Sequence, residues 1–245
     1  MTESLEHKIL WTDDKISRLW NYYSRSRIAS DLYFSKAYGG FVLQRSQLPA
    51  SASLRVLDFG CGPGHIWDHI QRFGKKWRYT GLDFSADSVM ALQTRGASEP
   101  GFEGAVHAAN LPSHLQSASF DAVLLLEVIE HLTDDQLHST IAEIKRLLRP
   151  GGRLVVSTPH AEDLERETQY CPECGAVFHR WQHMRSWTED SLQSVMAKHD
   201  LVHERTWIGH WGDHWWYGWL FNRAARYWLR RRIDPHMLAT FSRPA

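Results

Sequence analysis

The chain has few cysteines, no long apolar run and no excess of either charge. Three cysteines among 245 residues are too few for a disulfide framework, so we expect a reducing, cytoplasmic setting. No apolar run approaches the ~18 residues of a membrane span, and the first ten residues show no signal-peptide core. Lysine and arginine together number 28, as do aspartate and glutamate. This balance argues against a general nucleic-acid binder.

Hydrophobic residues at 43% and charged residues at 23% are typical of a globular protein. From residue 54 onwards, short β-rich runs alternate with amphipathic helices, which predicts an α/β fold with a Rossmann-like, doubly wound, mostly parallel sheet. We expect an N-terminal helical cap over 1–50, interrupted at Gly39-Gly40. A ligand-binding core over 51–159 and a Cys/His insertion over 160–186 follow. Residues 187–245 should hold the end of the sheet and an aromatic, basic segment.

A glycine-rich turn follows the first predicted strand. Residues 58–64, Asp-Phe-Gly-Cys-Gly-Pro-Gly, lead from that strand into a helix, and glycines there let the backbone turn sharply and approach a ligand. Asp83 ends the second strand, where a carboxylate can accept hydrogen bonds from ribose hydroxyls. A glycine loop alone also occurs in ordinary strand–helix turns. Together with the strand-end acid and the strand–helix alternation, it indicates a nucleotide-type cofactor site.

These motifs resemble the class I S-adenosylmethionine-dependent methyltransferases. The matching stretches are 56–64, 81–85, 109–112, 119–132 and 147–159, with a looser match over 187–208. The resemblance implies a donor-binding set of Asp58, Gly60, Cys61, Gly62, Gly64, Asp83 for the ribose, Phe84 for the adenine, and Glu127, which faces donor and acceptor. The family often has an acid where this chain has His107. The adenine contact there is therefore expected from His107 or from the backbone of Ala108.

Glu127, Glu130 and His131 form an E-x-x-E-H motif after the fourth predicted strand. At i, i+3 and i+4 they would share one face of a helical turn, and two carboxylates with an imidazole suit Mg²⁺, Mn²⁺ or Fe²⁺. The motif is similar to the metal site of ubiquinone-biosynthesis O-methyltransferases and of small-RNA 3′-terminal 2′-O-methyltransferases. The RNA group implies His183 as a fourth ligand. Alternatively, the motif holds no ion, as in many small-molecule relatives. Glu127 and His131 are catalytic candidates under both hypotheses.

The insertion carries Cys171-Pro-Glu-Cys174-Gly, followed by His179 and His183. The spacing is close to that of a zinc knuckle, and backbone N–H groups in a CPxCG turn can point at the thiolates. We therefore expect zinc on Cys171, Cys174, His179 and His183, the alternative being a reduced pair of cysteines in a loop. His183 belongs to both predicted metal sites, and the sequence leaves open which of them holds it.

The last quarter of the chain is first aromatic and then basic. Eight of the twelve tryptophans lie at or after Trp181, and residues 221–245 contain six arginines against one acid. The run 207–219 predicts either an acceptor pocket, with His210 or His214 as general base, or a packed β-hairpin. Residues 221–230 fit a basic amphipathic helix. Such a helix either contacts an anionic membrane surface or is an ordinary solvated helix.

The sequence therefore favours transfer of a methyl group from S-adenosylmethionine to a hydroxyl of a small-molecule or glycan-type acceptor. One alternative is 2′-O-methylation of an RNA 3′ end, against which the neutral overall charge counts. Another is a zinc-bearing scaffold that binds the cofactor without turnover. The complete Glu127, Glu130 and His131 trio counts against that second alternative.

Overall fold

The computed structural model describes residues 6–26, 33–210 and 235–245. Its main sheet has seven strands: β2 (Arg55–Phe59), β3 (Arg78–Asp83), β4 (Phe102–His107), β5 (Phe120–Leu126), β6 (Leu148–Pro159), β9 (Val202–Gly209) and β10 (His236–Ser242). Their order is β4-β3-β2-β5-β6-β10-β9. The strands from β4 to β6 are parallel, while β10 is antiparallel to both β6 and β9. This is the Rossmann-like, mostly parallel sheet that the sequence predicts.

Helices cover both faces of this sheet. They are α1 (Asp13–Arg25), α2 (Phe34–Arg45), α3 (His65–Phe73), α4 (Ala86–Gly96), α5 (Asp134–Leu147) and α6 (Glu189–Ala197). Side chains alternate along β5, so that Val123 and Leu125 join the core beneath α5 and α6, while Leu124 joins the core beneath α2 and α3. Both cores are therefore built on the same strands. None of the described helices has the length and apolar character needed to cross a membrane.

The start of α5 is fixed by its N-cap. Thr133 Oγ1 accepts a hydrogen bond from the Gln136 backbone N–H at 3.3 Å, and Gln136 Oε1 accepts one from the Thr133 N–H at 3.0 Å. This capping box ends the preceding turn and satisfies two N–H groups that the helix itself leaves without partners. It therefore holds the E-x-x-E-H turn between the end of β5 and the start of α5.

The predicted interruption at Gly39-Gly40 is wrong, because α2 runs through both glycines. A Cβ atom at Gly39 would lie 2.5 Å from His69 Cδ2 and 2.8 Å from Ile66 Cδ1, both on α3. Gly39 therefore permits two helices to approach each other closely, and the pair of glycines does not mark a helix end.

The last strand was not predicted. β10 inserts between β6 and β9, and all its central residues, 237–241, are buried. The basic segment before it predicts a surface helix. The run Met-Leu-Ala-Thr-Phe that follows is nevertheless apolar enough for a central strand. Trp207, the first residue of the aromatic run, lies in β9 and contacts Phe41 with ring centroids 5.2 Å apart. His214, most of the aromatic run and the predicted basic helix lie outside the described residues.

A second, smaller sheet joins the insertion to the N-terminal residues. Its strands β1 (His7–Lys8), β7 (Thr168–Tyr170) and β8 (Ala176–His179) have the order β1-β8-β7. β7 and β8 form an antiparallel hairpin whose turn contains Cys171 and Cys174, and β1 adds to β8 in parallel. The rings of Trp11 and Phe178 meet edge to face at 6.4 Å. Residues 7–11 thus pack against the insertion.

Candidate active site

The glycine loop lies at the carboxyl edge of the sheet, between β2 and α3. Gly60, Gly62 and Gly64 all have positive φ, at 79°, 50° and 83°, a conformation that favours glycine. A Cβ at Gly60 would lie 2.5 Å from Val128 Cγ2, and one at Gly64 would lie 2.4 Å from Leu92 Cδ1. Both the conformation and the contacts therefore require glycine. The predicted loop geometry is what these residues adopt.

Asp83 is held at the end of β3 by the loop opposite it. The Gly62 N–H donates to Asp83 Oδ2 and the Ser85 N–H donates to Oδ1, both at 2.8 Å. Burial raises the pKa of Asp83, and these two backbone hydrogen bonds oppose that rise. Each carboxylate oxygen keeps a lone pair for a further donor. Phe84 is next to it and 45% exposed, an unusual exposure for phenylalanine.

These features fit the adenosine part of S-adenosylmethionine. The fixed carboxylate of Asp83 can accept from ribose hydroxyls, and the exposed ring of Phe84 offers an apolar face to a base. Two further residues that the sequence did not suggest lie nearby. Tyr33 is 3.8 Å from a Cβ placed on Gly62, and Asn21 Oδ1 lies 3.5 Å from Ser85 Oγ. Neither belongs to a motif. Asn21 lies in α1 and Tyr33 directly precedes α2.

Asp58 lies beneath the loop and is almost fully buried. Burial raises the pKa of its carboxyl to about 7, although the Tyr79 hydroxyl donates to Oδ2 at 2.8 Å and thereby lowers it. The proton on Asp58 consequently titrates near neutral pH. Asp58 therefore contributes to the loop through a buried hydrogen bond with Tyr79, a partner that the sequence did not suggest.

The polar groups of His107 and Ala108 have partners within the protein. The Ala108 N–H donates to the Asp83 carbonyl oxygen at 3.0 Å, so this N–H already has a partner. His107 Nε2 lies 2.9 Å from the Phe84 carbonyl oxygen. The Ala108 N–H and the His107 ring thus help to fix the segment that carries Asp83 and Phe84. The predicted contacts of His107 and of the Ala108 backbone with the adenine stay predictions.

The E-x-x-E-H segment is a turn and not the predicted helical turn with three ligands on one face. The His131 N–H donates to the Val128 carbonyl at 3.0 Å, and Glu127 has φ of 53°. Glu127 Oε1 accepts from the Ser157 hydroxyl at 2.8 Å, and its Oε2 lies 3.3 Å from His236 Nε2. The left-handed backbone at Glu127 turns its carboxylate towards β6 and β10. His236 was missed because the strand that it begins was missed.

Glu130 is buried and His131 is partly buried, and both are incompletely bonded among the described residues. Thr158 Oγ1 donates to Glu130 Oε2 at 3.0 Å. Glu130 Oε1 has no hydrogen-bond partner within residues 6–26, 33–210 and 235–245 and lies 3.9 Å from His131 Nε2. Burial and the nearby Glu127 carboxylate raise the pKa of Glu130. Burial and His183 lower the pKa of His131. An unpartnered oxygen and a neutral imidazole at this depth are suited to a bound cation.

The insertion brings His183 to this pair. Gln182 Nε2 donates to the His131 carbonyl at 2.8 Å, and the Met184 N–H donates to the Glu130 carbonyl at 2.9 Å. The ring of His183 then lies 4.9 Å from the ring of His131. Glu130, His131 and His183 each offer a ligand atom, and all three atoms lie within 4.8 Å of one another. Glu127 is not part of this group.

The α1 helix covers the same group from outside. The Trp20 Nε1–H donates to Gln182 Oε1 at 2.9 Å, and the Trp20 ring meets the His131 ring edge to face at 4.8 Å. Asn21 on the same helix reaches Ser85. The α1 helix therefore spans the donor end of the site, which is formed by the glycine loop and Asp83, and the histidine end, which is formed by Glu130, His131 and His183. Composition and motifs gave no signal for this role of α1.

The predicted zinc ligands are not brought together as a set. Within the described part of the chain, two groups of three or more potential metal ligands occur, and neither includes a cysteine. Cys174 is exposed and Cys171 is half-buried in the hairpin turn. The backbone N–H groups of Cys174 and Glu173 lower the pKa of the Cys171 thiol, as expected for a knuckle. Zinc on this turn stays a prediction. His183 belongs to both groups, with Glu130 and His131 in one and with Glu162 and His179 in the other.

His210 follows β9, whose end at Gly209 is opposite His236 on β10. Because β9 runs in the same direction as β6, His210 lies at the same edge of the sheet as Glu127 and His236. This position is compatible with the predicted role in an acceptor pocket, which stays a prediction.

The chain matches the model of the methyltransferase domain family over residues 13–205. It belongs to the class I S-adenosylmethionine-dependent methyltransferases. The ubiquinone biosynthesis O-methyltransferase of Xanthomonas oryzae pv. oryzae is 34% identical over 108 residues, which are 44% of each chain. A malonyl-[acyl-carrier protein] O-methyltransferase of Enterobacter lignolyticus is 34% identical over 119 residues, covering 49% of this chain and 44% of the relative. This chain thus aligns with less than half the length of these curated relatives.

Solved structures share the fold at low sequence identity. A 1,6-didemethyltoxoflavin N1-methyltransferase of Burkholderia thailandensis, bound to 1,6-didemethyltoxoflavin and S-adenosylhomocysteine, has a TM-score of 0.67 at 16% identity and covers 98% of this chain and 93% of its own. The N-methyltransferase NodS of Bradyrhizobium japonicum, in complex with S-adenosylhomocysteine, has a TM-score of 0.62 at 16% identity, with 94% and 98% covered. At this identity the likeness concerns the fold alone.

Proposed function

We propose that this protein transfers the methyl group of S-adenosylmethionine to a hydroxyl oxygen of a small-molecule or glycan-type acceptor, beside a divalent cation held by Glu130, His131 and His183. The proposal rests on one observation: the fixed Asp83 carboxylate and the group of three ligands lie at the same edge of the sheet. Similarity to O-methyltransferases supports oxygen as the methylated atom.

The residues at the donor end would bind and orient S-adenosylmethionine. Asp83 would accept from the ribose, Phe84 would contact the base, and the positive-φ glycines would allow the backbone to approach the methionine part. When bound, the donor supplies a methyl group that is already activated by its sulfonium. The carbon–sulfur bond breaks as the carbon–oxygen bond forms, so the protein's main task is to align the acceptor oxygen with that bond.

The residues at the other end fit a cation of intermediate softness. Two imidazoles and one carboxylate favour Mn²⁺ or Fe²⁺ over Mg²⁺, which prefers oxygen ligands only. When bound, such a cation lowers the pKa of a coordinated hydroxyl. Thr158 holds Glu130 Oε2, which leaves Oε1 as the single free carboxylate oxygen. Without Glu127 in the group, we expect Mn²⁺ to bind more tightly than Mg²⁺.

The hydroxyl proton must leave as the new bond forms. Glu127 and His236 lie 3.3 Å apart, oxygen to nitrogen, at the same edge, and this pair is the proton acceptor that we propose. Ser157 fixes the second oxygen of Glu127. Replacing His236 with glutamine should therefore lower kcat while leaving the affinities for donor and Mn²⁺ nearly unchanged.

The test separates donor binding from turnover. Calorimetry should show that S-adenosylhomocysteine binds equally well before and after treatment with a chelator. Methyl transfer to a panel of phenols, catechols, sugars and RNA oligonucleotides with free 3′ hydroxyls should fall on chelation and recover with Mn²⁺. Absence of donor binding would refute the methyltransferase proposal. Turnover that is indifferent to chelation would refute the metal. Activity confined to RNA would replace the proposed acceptor class.

A further inference from the structure

A buried carboxylate links the insertion to the proposed metal ligands. Glu162 lies three residues after β6, and its side chain is 8% exposed. Its Oε2 lies 2.5 Å from His183 Nδ1, and its Oε1 lies 3.6 Å from His179 Nε2. No sequence motif includes Glu162, and none of the predicted ligand sets contains it.

The contact with His183 determines which ring nitrogen carries the proton. An ionised carboxylate only accepts hydrogen bonds, so His183 Nδ1 must be the donor. In the neutral ring, Nε2 then keeps its lone pair. His183 belongs to the group with Glu130 and His131, and a metal requires the nitrogen that lacks a proton. The contact thus prepares Nε2 as a ligand.

On His179, the ring nitrogen that carries the proton is Nε2, whereas on His183 it is Nδ1. His179 Nδ1 accepts from the backbone N–H groups of Trp181 at 3.3 Å and of His183 at 3.1 Å. A neutral His179 therefore carries its proton on Nε2, the nitrogen that faces Glu162. A protonated nitrogen does not bind a metal. His179 Nε2 is 3.6 Å from Glu162 Oε1 and has no hydrogen-bond partner among the described residues. Because the nitrogen that faces Glu162 carries the proton, Glu162, His179 and His183 do not form a second metal site.

We infer that Glu162 is the positioning residue that orients His183 and fixes its tautomer for the metal formed with Glu130 and His131. The inference rests on the metal site of the proposed function and extends it to a residue outside the ligand set. The arrangement is a carboxylate–histidine–metal relay, in which the outer carboxylate raises the basicity of the ligand nitrogen.

Mn²⁺ binding to the full chain, followed by electron paramagnetic resonance, tests the role of Glu162. Glu162→Ala should weaken Mn²⁺ binding about 10- to 100-fold. Glu162→Gln should recover part of this loss, since its amide oxygen can still accept from Nδ1. Asp163→Ala, at the neighbouring exposed carboxylate, is the control and should bind like the wild type. S-adenosylhomocysteine affinity should be the same in all four proteins.

The tautomers provide a readout that requires no metal and no folded variant of Glu162. Long-range proton–nitrogen spectra of the metal-free protein with labelled histidines should show His183 protonated on Nδ1 and His179 on Nε2, with assignments from His183→Asn and His179→Asn. His183 protonated on Nε2 alone would overturn the inference. So would wild-type Mn²⁺ affinity in Glu162→Ala, which would leave the metal site standing. A wild-type protein that binds no Mn²⁺ would overturn both.

Discussion

The two ends of the site are built in different ways. The donor end consists of contiguous turns that follow β2 and β3, and backbone groups make its main contacts, such as Gly62 and Ser85 on Asp83. The histidine end gathers Glu130, His131 and His183 from a turn and a distant insertion. Its contacts are made by side chains and by loop backbone.

Because of this difference, the donor end can be predicted from the sequence and the histidine end cannot. Strand ends and positive-φ glycines are local features, so a short motif is enough to specify them. The histidine end depends on where an insertion docks, here through Gln182 and Met184. We therefore expect mutations at the donor end to weaken donor binding alone, and mutations at the histidine end to weaken metal binding alone.

Removal of the Asp83 carboxylate should have the largest effect. Asp83→Ala deletes the acceptor of two backbone hydrogen bonds and of the ribose, and each charged hydrogen bond contributes about 1.5–3 kcal/mol. We expect donor affinity to fall by about 1,000-fold, as measured by calorimetry with S-adenosylhomocysteine. Mn²⁺ affinity should stay within about twofold of the wild type. Asp135→Asn, at an exposed carboxylate, serves as the control. Parallel loss of both affinities would contradict independent ends.

The converse substitution is Glu130→Gln. It removes the only carboxylate of the three proposed ligands, so Mn²⁺ affinity should fall about 100-fold or more, because even outer partners of ligands cost 10- to 100-fold. Paramagnetic resonance measures this loss, and calorimetry should show unchanged donor binding. The substitution keeps the volume of the side chain and removes a buried carboxyl. A lower donor affinity would mean that the two ends are coupled.

The buried Asp58 should make stability depend on pH. Its folded-state pKa, about 7, exceeds the ordinary value of 3.8, so its contribution is fully present below pH ~4 and is lost as pH rises through 7. Between pH 5 and pH 8, the wild type should lose about 3 kcal/mol of unfolding free energy relative to Asp58→Asn. Urea unfolding of both proteins at each pH measures this. A pH-independent difference between them would show that Asp58 does not titrate there.

The smallest effect is expected at the helix contact beside the donor end. Gly39→Ala places a methyl group within 2.5 Å of His69 on α3, so overpacking should cost about 1–2 kcal/mol. At Gly40 the nearest atom would be 3.3 Å away, and Gly40→Ala should be neutral or stabilise α2 by up to about 1 kcal/mol. Thermal unfolding distinguishes the two. Equal effects would refute the close approach at Gly39.

The parallel sheet, the glycine loop and Asp83 were predictable because each follows from local periodicity or turn chemistry. β10 was missed because the basic segment before it favours a surface helix, although the apolar run 237–241 fits a strand. Its insertion between two strands that precede it in sequence is not visible in any local pattern. Glu162 and His236 were missed because their roles depend on contacts made by the insertion and by that last strand. His183 could be nominated twice from its spacing. The docking of the insertion places it beside Glu130 and His131 and also beside Glu162 and His179, and its assignment to the first group is our proposal.

The most direct test of the account is an anomalous difference map at the manganese edge, from crystals grown with Mn²⁺ and S-adenosylhomocysteine. The account predicts one strong peak within coordination distance of Glu130, His131 and His183, with S-adenosylhomocysteine against Asp83 and Phe84. A peak between Glu162 and His179, or none near His131, would contradict it.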